Sequence, residues 1–142
     1  MNLKMCHLFL LSLFFISCSP NPNKDFQIFY GSWYINEMHY KNENLTLKEG
    51  DVINRSFPLG FEKNNILWID DLDSTKTIFA DFKFYKVKNQ IFLDIKNSKD
   101  KRINGNYNVY VDTLQTTPQN YVLKMTVDSE ETFFIAHRNY AR

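Results

Sequence analysis

Apolar and polar residues alternate one for one along most of this chain. The alternation is carried by Ile, Val, Phe, Tyr and Thr and recurs in eight segments: 32–40, 52–62, 66–70, 77–87, 91–97, 106–115, 121–128 and 132–138. A period of two in β-branched and aromatic residues predicts strands. Between the segments lie turn formers. Asn64-Asn65 and Lys88-Asn89-Gln90 suit tight hairpins, because Asn tolerates positive φ. Residues 101–105 and 116–120 make longer connections, and Asp128-Ser129-Glu130-Glu131 makes the last. No stretch carries a 3.6-residue apolar period, although 42–51 has room for one short helical turn.

Short connections make neighbours in sequence neighbours in space. Eight such strands form a meander, and a meander of that number closes on itself to remove its edges. The predicted fold is therefore all-β: an eight-stranded antiparallel up-and-down barrel over residues 29–142. A two-sheet sandwich is the alternative, but it calls for Greek-key crossings and longer loops. Parity assigns the faces. Ala80, Phe82, Phe84, Ile91, Leu93 and Ile95 share the inner face with Tyr107, Val109, Val111, Leu123, Met125 and Val127. Lys83, Asp94, Lys96, Asp112, Lys124 and Asp128 mark the solvated one. An eight-stranded interior is either just filled by side chains or holds one small ligand.

The first thirty residues break the pattern. Lys4 is followed by an apolar run from Leu8 to Ile16, then Ser17, Cys18 and Ser19-Pro20-Asn21-Pro22-Asn23. A charged start, a short apolar stretch and a small residue read as a cleavable secretory signal, residues 1–17. The run is about half of the ~20 residues needed to span a bilayer. The Pro/Asn-rich stretch after it cannot continue a helix. Ser17-Cys18 after such a run resembles the lipobox of bacterial lipoproteins, and Phe15 at the head of the box resembles those of the Bacteroidota. The resemblance implies that Cys18 is acylated and becomes the new N-terminus. Residues 18–28 then form the lipidated cysteine and a flexible tether, reaching about 30 Å at most at roughly 3.3 Å per residue. Cys6 leaves with the leader, so the exported domain stands without a disulfide. Each buried acyl methylene adds about 0.8 kcal/mol of membrane affinity, so two or three chains make attachment lasting. No dense acidic run follows Cys18, and in such lipoproteins that run accompanies surface export. The expected location is the envelope, most simply the periplasmic face of the outer membrane.

A family is visible at the two ends of the meander. The first strand opens on Gly31-Ser32-Trp33 after Phe29-Tyr30, and the last ends in Ala136-His137-Arg138. Gly-x-Trp at the start of strand one, eight meandering strands and a closing Arg resemble the lipocalins, in particular the short lipocalin-like domains of bacterial lipoproteins. The resemblance covers about 29–138. It implies that Trp33 plugs the closed end of the barrel and that Arg138 lies across it, a cation–π contact of about 0.5–2 kcal/mol.

Charge and candidate chemistry narrow the function. The formal charge of +1 falls to zero once the leader takes Lys4, which leaves no electrostatic footprint for nucleic acid. His39 and His137 lie far apart without zinc-ligand spacing, and no serine sits in Gly-x-Ser-x-Gly. Asp70, Asp71 and Asp73 form an acidic corner without the glycine and distal glutamate of a calcium loop. No catalytic residue, metal or cofactor is expected. Asp73-Ser74-Thr75 and Asp112-Thr113-Leu114 match an O-glycan acceptor pattern of the same phylum. Two functions remain. One is a membrane-tethered binder of a small apolar ligand, lined by Phe82, Phe84, Tyr107, Leu123 and Met125, with Tyr107 and Trp68 as polar handles. The other is a filled barrel that docks an envelope protein through 57–61 or 66–69, which are apolar on both parities.

Overall fold

The computed structural model describes residues 24–47, 55–70, 76–115, 117 and 120–141. Its strands are β1 (Gly31–Tyr40), β2 (Glu43–Asn44), β3 (Phe57–Phe61), β4 (Ile66–Asp70), β5 (Thr77–Val87), β6 (Gln90–Lys96), β7 (Gly105–Gln115), β8 (Asn120–Asp128) and β9 (Thr132–Ala141). From β3 to β9 each strand pairs with the next, and β9 returns to β1. The result is the expected closed antiparallel barrel of eight strands, with β2 as a small addition on β1. The closing seam runs from Tyr34 opposite His137 to Tyr40 opposite Thr132, with a bulge at Asn36.

The hairpins follow their turn residues. Asn65 adopts φ 65° between β3 and β4, and Lys88 rather than Asn89 takes φ 56° between β5 and β6. Lys41 and Asn42 both take positive φ and fold the chain back into β2. Residues 42–47, the described part of the segment with room for a helical turn, hold this reversal, β2 and a bend. The acceptor site 73–75, residues 48–54 and the rest of the acidic corner beyond Asp70 lie outside the described residues, as do Cys18 and the leader.

Alternate hairpins of a meander share an end. The end where β1 begins, here the entry end, also carries the β3–β4 and β5–β6 hairpins, the β7–β8 connection and the end of β9. Residues 24–30 cross it. Lys24–Phe26 forms a 3-10 turn, and Phe29 is fully buried with its ring stacked 4.4 Å from that of Phe84. Residues 24–28, expected as tether, thus belong to the cap of the barrel. The opposite end is covered by a second 3-10 turn, Lys101–Ile103, capped by Asp100. Ile103 is buried there, the Tyr107 hydroxyl donates to its carbonyl at 2.7 Å, and the Thr132 hydroxyl donates to Arg102 O at 2.8 Å. Between the caps, the inward residues of every barrel strand form one apolar core.

Candidate functional site

The five residues expected to line a ligand cavity all point inward. Exposure is 4% for Phe82, 7% for Phe84, 1% for Tyr107, 2% for Leu123 and 0% for Met125. A void wide enough for water would leave part of its lining accessible, so exposures this small leave none beside Tyr107 and Met125. Phe82 and Phe84 meet edge to face at 5.5 Å, and Phe61 fills the angle between them at 5.0 and 5.1 Å. Phe29 then seals Phe84 from the entry end. The five do not form one pocket. Phe82 and Phe84 belong to the aromatic cluster near the entry end, whereas Tyr107 packs against Phe134 and bonds to the opposite cap. Burial there pushes the Tyr107 phenol up to about 12, with the hydrogen bond to Thr132 acting the other way.

Trp33 and Arg138 do come together. The guanidinium lies 5.9 Å from the indole centroid and 5.6 Å from the Tyr140 ring. Its Nη1 donates to Tyr30 O at 2.6 Å, and the Trp33 Nε1 donates to Phe29 O at 2.8 Å. Both side chains therefore tie the entry cap to the barrel wall. Gly31 makes the approach possible: its φ is +109°, and a Cβ there would lie 3.3 Å from Arg138 Nη1. Beside Arg138 a cleft of about 360 Å³ opens to solvent between Gln27, Ile28, Tyr121, Leu123 and Tyr140.

The outer wall carries what parity alone understated. Trp68 faces outward, not into the barrel as a handle. Its ring lies so close over Gly60 that a Cβ there would meet Cε2 at 2.1 Å. Cross-strand register places Ser32, Gly60, Trp68 and Phe79 in one line across β1, β3, β4 and β5. Phe79 is 60% exposed, and Tyr34, opposite Pro58 in the neighbouring line, is 55% exposed. The inward partners on the same strands, Leu59, Phe61, Leu67 and Ile69, are buried in the core.

Neither histidine joins a reactive cluster. His39 Nε2 lies 3.0 Å from Glu37 Oε1 at the rim of the far end. His137 points outward, its Nδ1 2.7 Å from Asn36 Oδ1 at the bulge. Partial burial lowers its pKa, and Lys124 across the strand pair lowers it further. Among the described residues no three His, Cys, Asp or Glu side chains converge as a metal site. Asp70 accepts from the Thr77 hydroxyl as part of the β4–β5 ladder end. Thr113 of the second acceptor pattern lies exposed on β7.

Comparison of the chain with protein-family models, with curated proteins and with solved structures finds no match. The class that fold and site define is an antiparallel up-and-down β-barrel of eight strands with a packed interior and an aromatic outer stripe.

Proposed function

We propose that this protein is a lipid-anchored barrel of the cell envelope that acts as an interaction module through its outer wall. The leader, Cys18 and the lipocalin-like pairing of Trp33 with Arg138 support the anchored, lipocalin-like lipoprotein. One observation carries the choice between the two functions: the inward side chains pack against one another and against Phe29. A carrier for a fatty acid or isoprenoid needs open volume behind its mouth. Here the mouth holds Phe29 and the volume behind it holds Phe61, Phe82 and Phe84. The stripe of Tyr34, Trp68 and Phe79 offers the apolar surface that partner docking requires, and aromatic residues are the commonest anchors at such surfaces.

The test combines ligand and partner. Purified mature protein should displace no fluorescent fatty acid, and native mass spectrometry should show no bound lipid in the interior. In whole envelopes, crosslinking should give a discrete adduct that Phe79→Ser or Trp68→Ala abolishes. Saturable displacement across a lipid panel would overturn the reading and restore the ligand-binding calyx. An adduct unchanged by both substitutions would move the docking surface elsewhere.

A further inference from the structure

We infer that the entry rim of the barrel is a docking face for an anionic phospholipid surface, so that the domain stands end-on upon the membrane. The inference deepens the anchored reading, on which the orientation rests, and three observations meet at this rim. The first is where the chain enters. Lys24 opens the entry cap, and Cys18 lies six residues ahead of it, which at roughly 3.3 Å per residue allows about 20 Å of separation at most. A ten-residue strand such as β1 is itself about 33 Å long. An acyl anchor on Cys18 therefore holds the entry end at the lipid and keeps the far end away from it.

The second observation is charge. Among the described residues the rim exposes Lys24, Lys63, Lys86 and Lys88, with Arg138 half-exposed in its cleft, against Asp25 and Glu62, and Asp112 is exposed on β7 just below it. The far end is mixed: among the described residues Glu43, Asp128, Glu130 and Glu131 stand against Lys41, Lys76, Lys96, Lys99 and Lys101, with Lys41 paired to Glu131 and Lys96 to Asp94. Cations thus outnumber anions on the rim to which the anchor leads. The third is apolar exposure. Ile28 at 42%, Val87 at 52%, Leu114 at 45% and Tyr140 at 43% all stand on the same rim, on four of its five segments. Basic residues interspersed with aliphatic and tyrosine side chains fit the headgroup region, where cations meet phosphates and apolar tips enter the acyl boundary. The cleft beside Arg138 opens on this rim and has room for a headgroup phosphate.

The experiment removes the anchor so that the rim is measured by itself. Mature chain carrying Cys18→Ser is floated with vesicles of phosphatidylcholine alone or mixed with phosphatidylglycerol. Binding is expected to the mixed vesicles only, and it should fall steeply between about 50 mM and about 500 mM salt as the screening length shortens. Lys63→Glu with Lys86→Glu, on two different hairpins, should weaken partitioning about thirty-fold or more. Val87→Ser should weaken it at every salt concentration, and Lys99→Glu at the far end should leave it unchanged. Absence of binding to either vesicle, equal binding to both, or equal sensitivity to Lys99→Glu would overturn the inference. The mass of Cys18-containing peptide from envelopes tests the anchor separately. An unacylated Cys18 with intact vesicle binding would refute the anchor while leaving the lipid-binding rim in place.

Discussion

Replacing Phe29 by alanine asks whether the segment ahead of β1 is part of the barrel or merely rests on it. The ring is fully buried and stacks on Phe84 at 4.4 Å with 23° between the planes. The Trp33 indole bonds to the Phe29 carbonyl, which alanine keeps, so the substitution removes packing alone. Phe→Ala in a core costs about 3–5 kcal/mol, the lost transfer energy plus the unfilled hole. Residues 24–30 pair with no barrel strand, and a peeling segment recovers about 1–2 kcal/mol of backbone entropy per freed residue. The cost therefore sits near the lower bound, about 3 kcal/mol. With a urea slope of about 1.5 kcal/mol/M, the unfolding midpoint should fall by about 2 M.

Tryptophan fluorescence follows the transition, because Trp33 lies directly under the cap. Phe26, partly buried and 6.0 Å from Phe84, should cost less when truncated, about 1 kcal/mol. The variant should also gain what the native barrel lacks. Apolar cavities stay dry and admit small apolar guests, so Phe29→Ala should regain stability with added benzene while the native protein does not. A loss below about 1 kcal/mol for Phe29→Ala would refute the docked cap, since no buried phenylalanine is that inexpensive to remove. Benzene stabilising both proteins alike would refute the filled interior.

Two further substitutions address the far cap and the outer stripe. The Tyr107 phenol titrates near 12 in the fold and near its ordinary value of 10 when unfolded. Because the neutral form is the one the fold favours, this stability is complete below pH 10 and is lost as pH rises toward 12, by on the order of 2 kcal/mol. Tyr107→Phe should cost about 1 kcal/mol at neutral pH, by removing the bond to Ile103 O, and should flatten the alkaline decline in urea titrations. An unchanged alkaline slope counts against the buried phenol. Gly60→Ala should drive the Trp68 ring off the wall, because its Cβ falls 2.1 Å from Cε2. Overpacking of this kind costs about 1–3 kcal/mol, read as a lower Tm together with a red-shifted tryptophan emission. An unshifted emission spectrum would mean that the ring does not lie over Gly60.

The wall of the barrel was legible because each strand repeats one rule many times. Residues 66–70 and 77–87 match β4 and β5 end to end, and the other strands differ only at their ends, most for the second segment, 52–62, of which 52–54 lie outside the described residues. Features made by single residues were not legible in this way. The two-residue β2 has no period to detect and exists because Lys41 and Asn42 turn the chain with positive φ. The entry cap was hidden by composition. The Pro/Asn tract up to Asn23 made the next residues look like more tether, whereas Phe26 and Phe29 at helical spacing were the available signal of a turn with one apolar side. Trp68 was knowable by parity, since Leu67 and Ile69 point inward on either side of it. Whether the interior is filled depends on summed side-chain volumes across eight strands. No local pattern records that sum.

The absence of cysteine among the described residues and the packed core belong to one argument. Under the anchored reading proposed above, a small exported domain without a cross-link would depend on its core for all of its stability. Hollowing this barrel to admit a ligand would mean giving up contacts such as those among Phe29, Phe61, Phe82 and Phe84, each worth about 3–5 kcal/mol of a total near 5–15. Such a barrel has little room for an interior function, which is why the proposed recognition role falls to its exterior. If the entry rim rests on lipid as proposed, the strands would rise from the membrane and the stripe of Trp68 and Phe79 would face sideways, parallel to its plane. A partner tethered to the same membrane meets that stripe by diffusion in two dimensions. In that geometry a modest apolar patch suffices, because the shared anchor supplies the effective concentration that a soluble binder would have to replace with affinity.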